Sequence, residues 1–171
     1  MQASPDILRG ILSDVWGYED FRPQQLEIIS MVASGKDVVA LLPTGGGKSI
    51  CFQLPGLALG GLTVVISPLI SLIEDQVKQL KARGISAHAF VGEMSASGFY
   101  QVLDLAQAGH IKFLYLSPER ATSKRFLERL PHLGVTLLAI DEAHCVSQWG
   151  HDFRPSYQRL TSLRGRLPEQ P

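Results

Sequence analysis

Apolar positions along this chain follow two alternating rhythms. Short, mainly apolar runs occur at residues 37–42, 62–67, 87–91, 111–117 and 135–140. Runs of this length predict strands covered on both faces. Between them lie amphipathic stretches at 47–59, 69–83, 95–108 and 117–130, which predict helices. Two more helices precede the first run. Ser4 and Pro5 form a helix start, and Ile7, Leu8, Ile11, Leu12 and Val15 supply one apolar face. The next begins at Pro23, carries Leu26, Ile29 and Val32, and stops at Gly35. Strand and helix in alternation predict an α/β fold: a parallel sheet with helices on both faces. No internal repeat, low-complexity tract or interdomain linker interrupts the pattern.

The length of 171 residues suits one domain with a sizeable core. Hydrophobic residues make up 45% and charged residues 19%, which excludes global disorder. Sixteen Lys and Arg balance sixteen Asp and Glu. Bulk electrostatic capture of nucleic acid is therefore not expected, though a local basic patch stays open. The only two cysteines, Cys51 and Cys145, form no Cys-x-x-Cys pair, so neither a zinc site nor a disulfide framework is indicated. A reducing, intracellular compartment is the expectation. The first residues show no secretory signal, and the apolar runs are too short to span a bilayer.

Candidate chemistry sits at two strand ends. After the first run comes Pro43-Thr44-Gly45-Gly46-Gly47-Lys48-Ser49, followed by a predicted helix. Strand, glycine-rich turn and helix N-terminus are the context of a phosphate-binding loop. Glycines let backbone N–H groups turn inward around phosphate oxygens, and the helix dipole favours the anion. Lys48 would reach the β- and γ-phosphates, and Ser49 would hold Mg²⁺. The general pattern has a glycine where this chain has Leu42, so the loop is a variant form. The last run ends in Asp141-Glu142-Ala143-His144. Asp141 would hold Mg²⁺ through water, and Glu142 would orient and deprotonate the attacking water.

Together these two motifs resemble superfamily-two helicases of the DEAH-box type, and four further segments resemble RecQ-family ATP-dependent DNA helicases. Residues 16–25, Trp-Gly-Tyr-Glu-Asp-Phe-Arg-Pro-Gln-Gln, are similar to that family's adenine-reading motif. Residues 67–76 and 116–120 are similar to its next motifs, and 145–155 to its aromatic-rich loop. The resemblance covers about residues 5 to 171, in the family's order of motifs.

The resemblance implies an N-terminal RecA-like P-loop NTPase domain spanning 1–171. It implies that Tyr18 and Arg22 sandwich adenine, that Gln25 bonds the edge of the base, and that Thr44, Gly45, Gly46, Gly47, Lys48 and Ser49 hold the phosphates of ATP. It implies DNA contact and coupling by His144, Gln148, Trp149, His151, Phe153 and Arg154. The expected cofactors are ATP and Mg²⁺, and the expected partner is single-stranded or partly duplex DNA. A cytoplasmic, nucleoid-associated or nuclear setting follows.

In the family a strand bearing a Thr-Ala-Thr motif would come next, followed by a second motor domain with an arginine finger. The expectation is therefore a sheet lacking its last strand, with the gap beside the phosphate-loop strand, or else direct pairing of the two flanking strands. The chain alone is expected to turn over little ATP and unwind nothing. The competing readings are a non-catalytic nucleotide- or DNA-binding fragment and a simple P-loop NTPase.

Overall fold

The computed structural model describes residues 4–43, 45–147 and 154–168. The chain forms two compact units, residues 1–60 and 61–171.

The first unit is helical. Helix α1 spans Pro5–Trp16, α2 spans Gln25–Ala33 and α3 spans Ile50–Leu59. Ser4 caps α1 by accepting a hydrogen bond from the Ile7 N–H, and Gly17 ends it at φ 71°. Leu8, Leu12, Ile29, Ala33, Cys51 and Leu54 form the buried core of this unit. Helical spacing of these residues puts one apolar stripe of each helix into it. Residues 37–42 do not form the expected strand. Val39 is 87% exposed and Leu41 88% exposed. An apolar run becomes a strand only where a neighbour supplies a ladder of donors and acceptors. Among the described residues no such ladder engages 38–42, and the sheet has four strands rather than the five expected.

The second unit carries the sheet. Its strands are β1 (Leu62–Ile66), β2 (Ala87–Phe90), β3 (Phe113–Leu116) and β4 (Val135–Ile140). The order is β2-β3-β1-β4, and every pairing is parallel. Helices α4 (Ile70–Ala82) and α5 (Ala96–Gln107) connect successive strands, and α6 (Pro118–Ala121) and α7 (Lys124–Arg129) precede β4. The stretch 117–130 thus breaks into two short helices and a 3₁₀ turn, because Ser123 caps a new helix by accepting from the Phe126 N–H. Short helices α8 (Pro155–Gln158) and α9 (Thr161–Arg164) follow.

Strand alternation assigns the two faces. Leu62, Val64 and Ile66 join Leu114 and Leu116 in one core with Phe99, Val102, Leu103 and Ala106 of α5. Tyr115 points to the other face, where its buried hydroxyl donates to Gln76 Oε1 of α4 at 2.9 Å. Helices therefore cover both faces of this sheet, as expected for the class. Among the described residues β4 pairs with one neighbour, β1; Ala139 is buried, Thr136 and Ile140 are exposed, and the other residues are partly covered.

Both thiols are buried. Burial pushes the Cys51 thiol from 9.0 up to about 11. The folded state thus resists its ionisation, and the stabilisation it contributes is complete below pH 9 and is lost as the pH rises towards 11. Ellman's reagent at pH 8 is expected to label neither Cys51 nor Cys145 in the folded chain within minutes, and both in guanidinium. Fast labelling of Cys51 in the native chain would contradict this packing.

Candidate functional site

In the first unit, residues 43–49 lead directly into α3. Gly45 and Gly47 sit at φ 77° and φ 76°, conformations that glycine adopts without strain. The Gly46 N–H donates to the Pro43 carbonyl at 3.0 Å, closing the turn. The turn is held from outside by α2 and the segment before it. Gln25 is only 2% exposed. Its Nε2 donates to the Gly46 and Gly47 carbonyls at 3.3 and 3.1 Å, and its Oε1 accepts from the Arg22 N–H at 2.9 Å. The Arg22 guanidinium donates to the Gly45 carbonyl. A buried amide with both ends satisfied fixes the loop's carbonyls outward.

Two of the three residues expected to read a base, Arg22 and Gln25, are therefore attached to the glycine turn itself. Tyr18 is half exposed. Lys48 and Ser49 lie at the start of α3, partly buried, and among the described residues Lys48 makes no ion pair. Thr44 lies outside the described residues.

In the second unit, β4 delivers the acidic residues. The Asp141 N–H continues the ladder by donating to the Ile66 carbonyl at 2.8 Å. Its Oδ1 accepts from the Glu142 N–H at 3.0 Å. Glu142 then takes a left-handed backbone, φ 51°, which costs a side-chain-bearing residue about 1–2 kcal/mol. Glu142 Oε2 lies 3.2 Å from His144 Nδ1. A 3₁₀ turn, Ala143–Val146, follows.

Arg154 was expected to contact DNA. Its guanidinium donates to the Pro68 carbonyl at 3.2 Å, just after β1. Three residues further on, the Tyr157 hydroxyl donates to the Asp141 carbonyl at 2.9 Å. Glu119, in the segment 116–120, accepts from the Ser156 and Ser117 hydroxyls and faces Arg154. Burial alone would raise its carboxyl. The hydrogen bonds, including one to its own backbone N–H, and the arginine charge outweigh this and lower it. Sequence motifs did not single out Tyr157 or Ser156, since a tyrosine and a serine in a short helix carry no spacing signal. Gln148, Trp149, His151 and Phe153 lie outside the described residues.

Among the described residues no cluster of three or more His, Cys, Asp or Glu could hold a metal. No helix among them is long and apolar enough to cross a membrane.

Comparison with known proteins extends these observations. Residues 22–171 match the model of the DEAD/DEAH box helicase family. The chain is 48% identical over 96% of its length to a probable ATP-dependent DNA helicase RecS of Bacillus subtilis, of which it covers 33%. It is 45% identical over 94% of its length to an ATP-dependent DNA helicase RecQ of Haemophilus influenzae, covering 26%. A RecQ helicase of Bacillus subtilis is 46% identical over 95% of the chain, with 28% covered. The chain thus spans about a quarter to a third of the length of these relatives. The glycine turn ahead of α3, the acidic end of β4 and the match over residues 22–171 lead to one conclusion: the chain belongs to the DEAD/DEAH box helicases.

Proposed function

We propose that this chain is the ATP-binding motor part of a RecQ-type DNA helicase, an N-terminal RecA-like domain acting within a longer protein. The observation that carries the reading is the glycine turn bonded by Gln25 and Arg22 at the start of the ten-residue helix α3. Two left-handed glycines there give the backbone a conformation whose N–H groups suit phosphate oxygens.

In this reading Lys48 binds the β- and γ-phosphates, Gly45 to Gly47 and Thr44 surround them, and Ser49 ligates Mg²⁺. Tyr18, Arg22 and Gln25 hold adenine, with Gln25 exchanging a loop hydrogen bond for one to the base edge. The Arg22 and Gln25 groups already bonded to the loop would then tie the presence of the base to the shape of the turn. Asp141 holds Mg²⁺ through water, and Glu142 takes the proton of the attacking water. Mg²⁺, when bound, neutralises phosphate charge.

The relatives' names support DNA as the substrate, and single-stranded or partly duplex DNA is proposed. His144, Gln148, Trp149, His151, Phe153 and Arg154 are proposed to couple DNA to the ATP site, with translocation running 3′ to 5′. A nucleoid or nuclear setting accompanies that role. An arginine finger contributes about 10³ to 10⁵ in rate in NTPases of this type. The chain by itself is proposed to turn over little ATP and to unwind nothing.

Thermal unfolding with and without Mg²⁺ and a non-hydrolysable ATP analogue tests the proposal. At about 100 times the dissociation constant, binding adds roughly 2.7 kcal/mol. The expected rise in Tm is about 5–10 °C for a chain of this size. A cooperative transition that the nucleotide leaves in place would overturn the reading.

A further inference from the structure

The acidic turn after β4 holds a strained residue, Glu142 at φ 51°, whose N–H donates to Asp141 Oδ1 within the turn. Backbone held in a sparsely populated region persists only when its surroundings over-determine it. Among the described residues, α8 and the residue before it supply part of those surroundings. The Arg154 N–H donates to the Cys145 carbonyl at 3.0 Å, and the Tyr157 hydroxyl donates to the Asp141 carbonyl at 2.9 Å. One short segment thus grips both ends of the turn from Asp141 to Cys145. The same segment is tied down twice more, by the Arg154 guanidinium on the Pro68 carbonyl and by the Ser156 hydroxyl on Glu119.

We infer that Tyr157 is a positioning residue for the acidic turn: its hydroxyl fixes the Asp141 carbonyl and thereby the direction in which the Asp141 and Glu142 carboxylates leave the strand. The ring itself packs in the apolar core with Cys145, Leu160 and Leu163. A phenylalanine fills that space equally well, so the hydroxyl alone carries the positioning. Burial raises the phenol above its usual range, with Cys145, Asp141 and Glu142 adding to the rise. The hydroxyl therefore stays protonated, and a donor, throughout the neutral range. The functional consequence rests on the reading of Asp141 and Glu142 as the Mg²⁺ and water residues of a nucleotide site.

Tyr157→Phe in the full chain separates the possibilities. The Cys145 N–H closes the turn on the Glu142 carbonyl, and the Ser147 N–H on the His144 carbonyl. Their hydrogen exchange, followed by NMR, is expected to quicken about fivefold, the effect of one lost buried hydrogen bond. The Thr63 and Ser67 amides, bonded to the Lys112 and Leu116 carbonyls of the sheet, are expected to keep their rates. Unchanged exchange at Cys145 and Ser147 overturns the inference. So does an equal rise at Thr63 and Ser67, which marks a general loss of stability.

The second readout is binding of a non-hydrolysable ATP analogue in Mg²⁺ and in EDTA. The variant is expected to lose about fivefold of the Mg²⁺-dependent gain in affinity and to bind as before in EDTA. Equal weakening in both buffers overturns the positioning role. If the unaltered chain shows no Mg²⁺-dependent gain, the nucleotide-site reading falls by itself. The exchange measurement then still decides whether Tyr157 holds the turn.

Discussion

Lys48→Ala is expected to weaken binding of an Mg²⁺-bound ATP analogue by about 10- to 100-fold, the range of one charge-assisted bond. The fold should be nearly unaffected. Lys48 is only partly covered and makes no ion pair among the described residues. Its truncation falls among surface changes worth within about 0.5 kcal/mol of stability. The measurement pairs isothermal titration with thermal unfolding in the absence of nucleotide. An affinity equal to that of the unaltered chain would sink the assignment of residues 43–49 as a phosphate loop. A melting temperature that drops sharply without nucleotide would show instead that Lys48 supports the fold.

Gly47→Ala is expected to lose both stability and nucleotide affinity. Gly47 lies at φ 76°, and a Cβ built there meets Gln25 Nε2 at 2.3 Å. The left-handed conformation costs an alanine about 1–2 kcal/mol. The Gln25 amide must also move, which disturbs its bonds to the Gly46 and Gly47 carbonyls, worth about 1 kcal/mol. A total near 2 kcal/mol in chemical denaturation is the expected result, together with a loss of nucleotide affinity of about tenfold or more. Gly10→Ala serves as the control, because a Cβ there meets nothing within 4 Å and the residue lies inside helix α1. That change is expected to be neutral or mildly stabilising. A Gly47→Ala chain as stable as the control would mean that Gln25 does not lock the turn.

These expectations draw on both levels of information, in different proportions. The helix boundaries of the first unit follow from local signals. Ser4, Pro5 and Gly17 bracket α1 by capping chemistry that depends on a few neighbouring residues. Strands β1, β2, β3 and β4 fall inside the apolar runs at 62–67, 87–91, 111–117 and 135–140, because burial on both faces demands mainly apolar sequence. The glycine turn before α3 was equally legible, since Gly-Gly-Gly-Lys-Ser carries its own conformational demand.

The run at 37–42 shows the limit of that logic. Its composition matches that of β1, but Val39 and Leu41 stand exposed and no ladder engages residues 38–42 among those described. Apolar sequence reports a wish for burial, whereas a strand also requires a partner's backbone at hydrogen-bonding distance. Sequence by itself determined the alternation of elements, the parallel α/β class and the chemical identity of the glycine turn and the acidic pair. Those properties arise from side-chain period, capping and glycine freedom, all of which act over a few residues. Only the tertiary structure decided that Gln25 and Arg22 hold the glycine turn. It also set Glu142 in a left-handed kink and brought Tyr157 to the Asp141 carbonyl, 16 residues away in the chain. Such contacts join residues distant in sequence, and no periodicity or local propensity encodes which donor a buried carbonyl will meet.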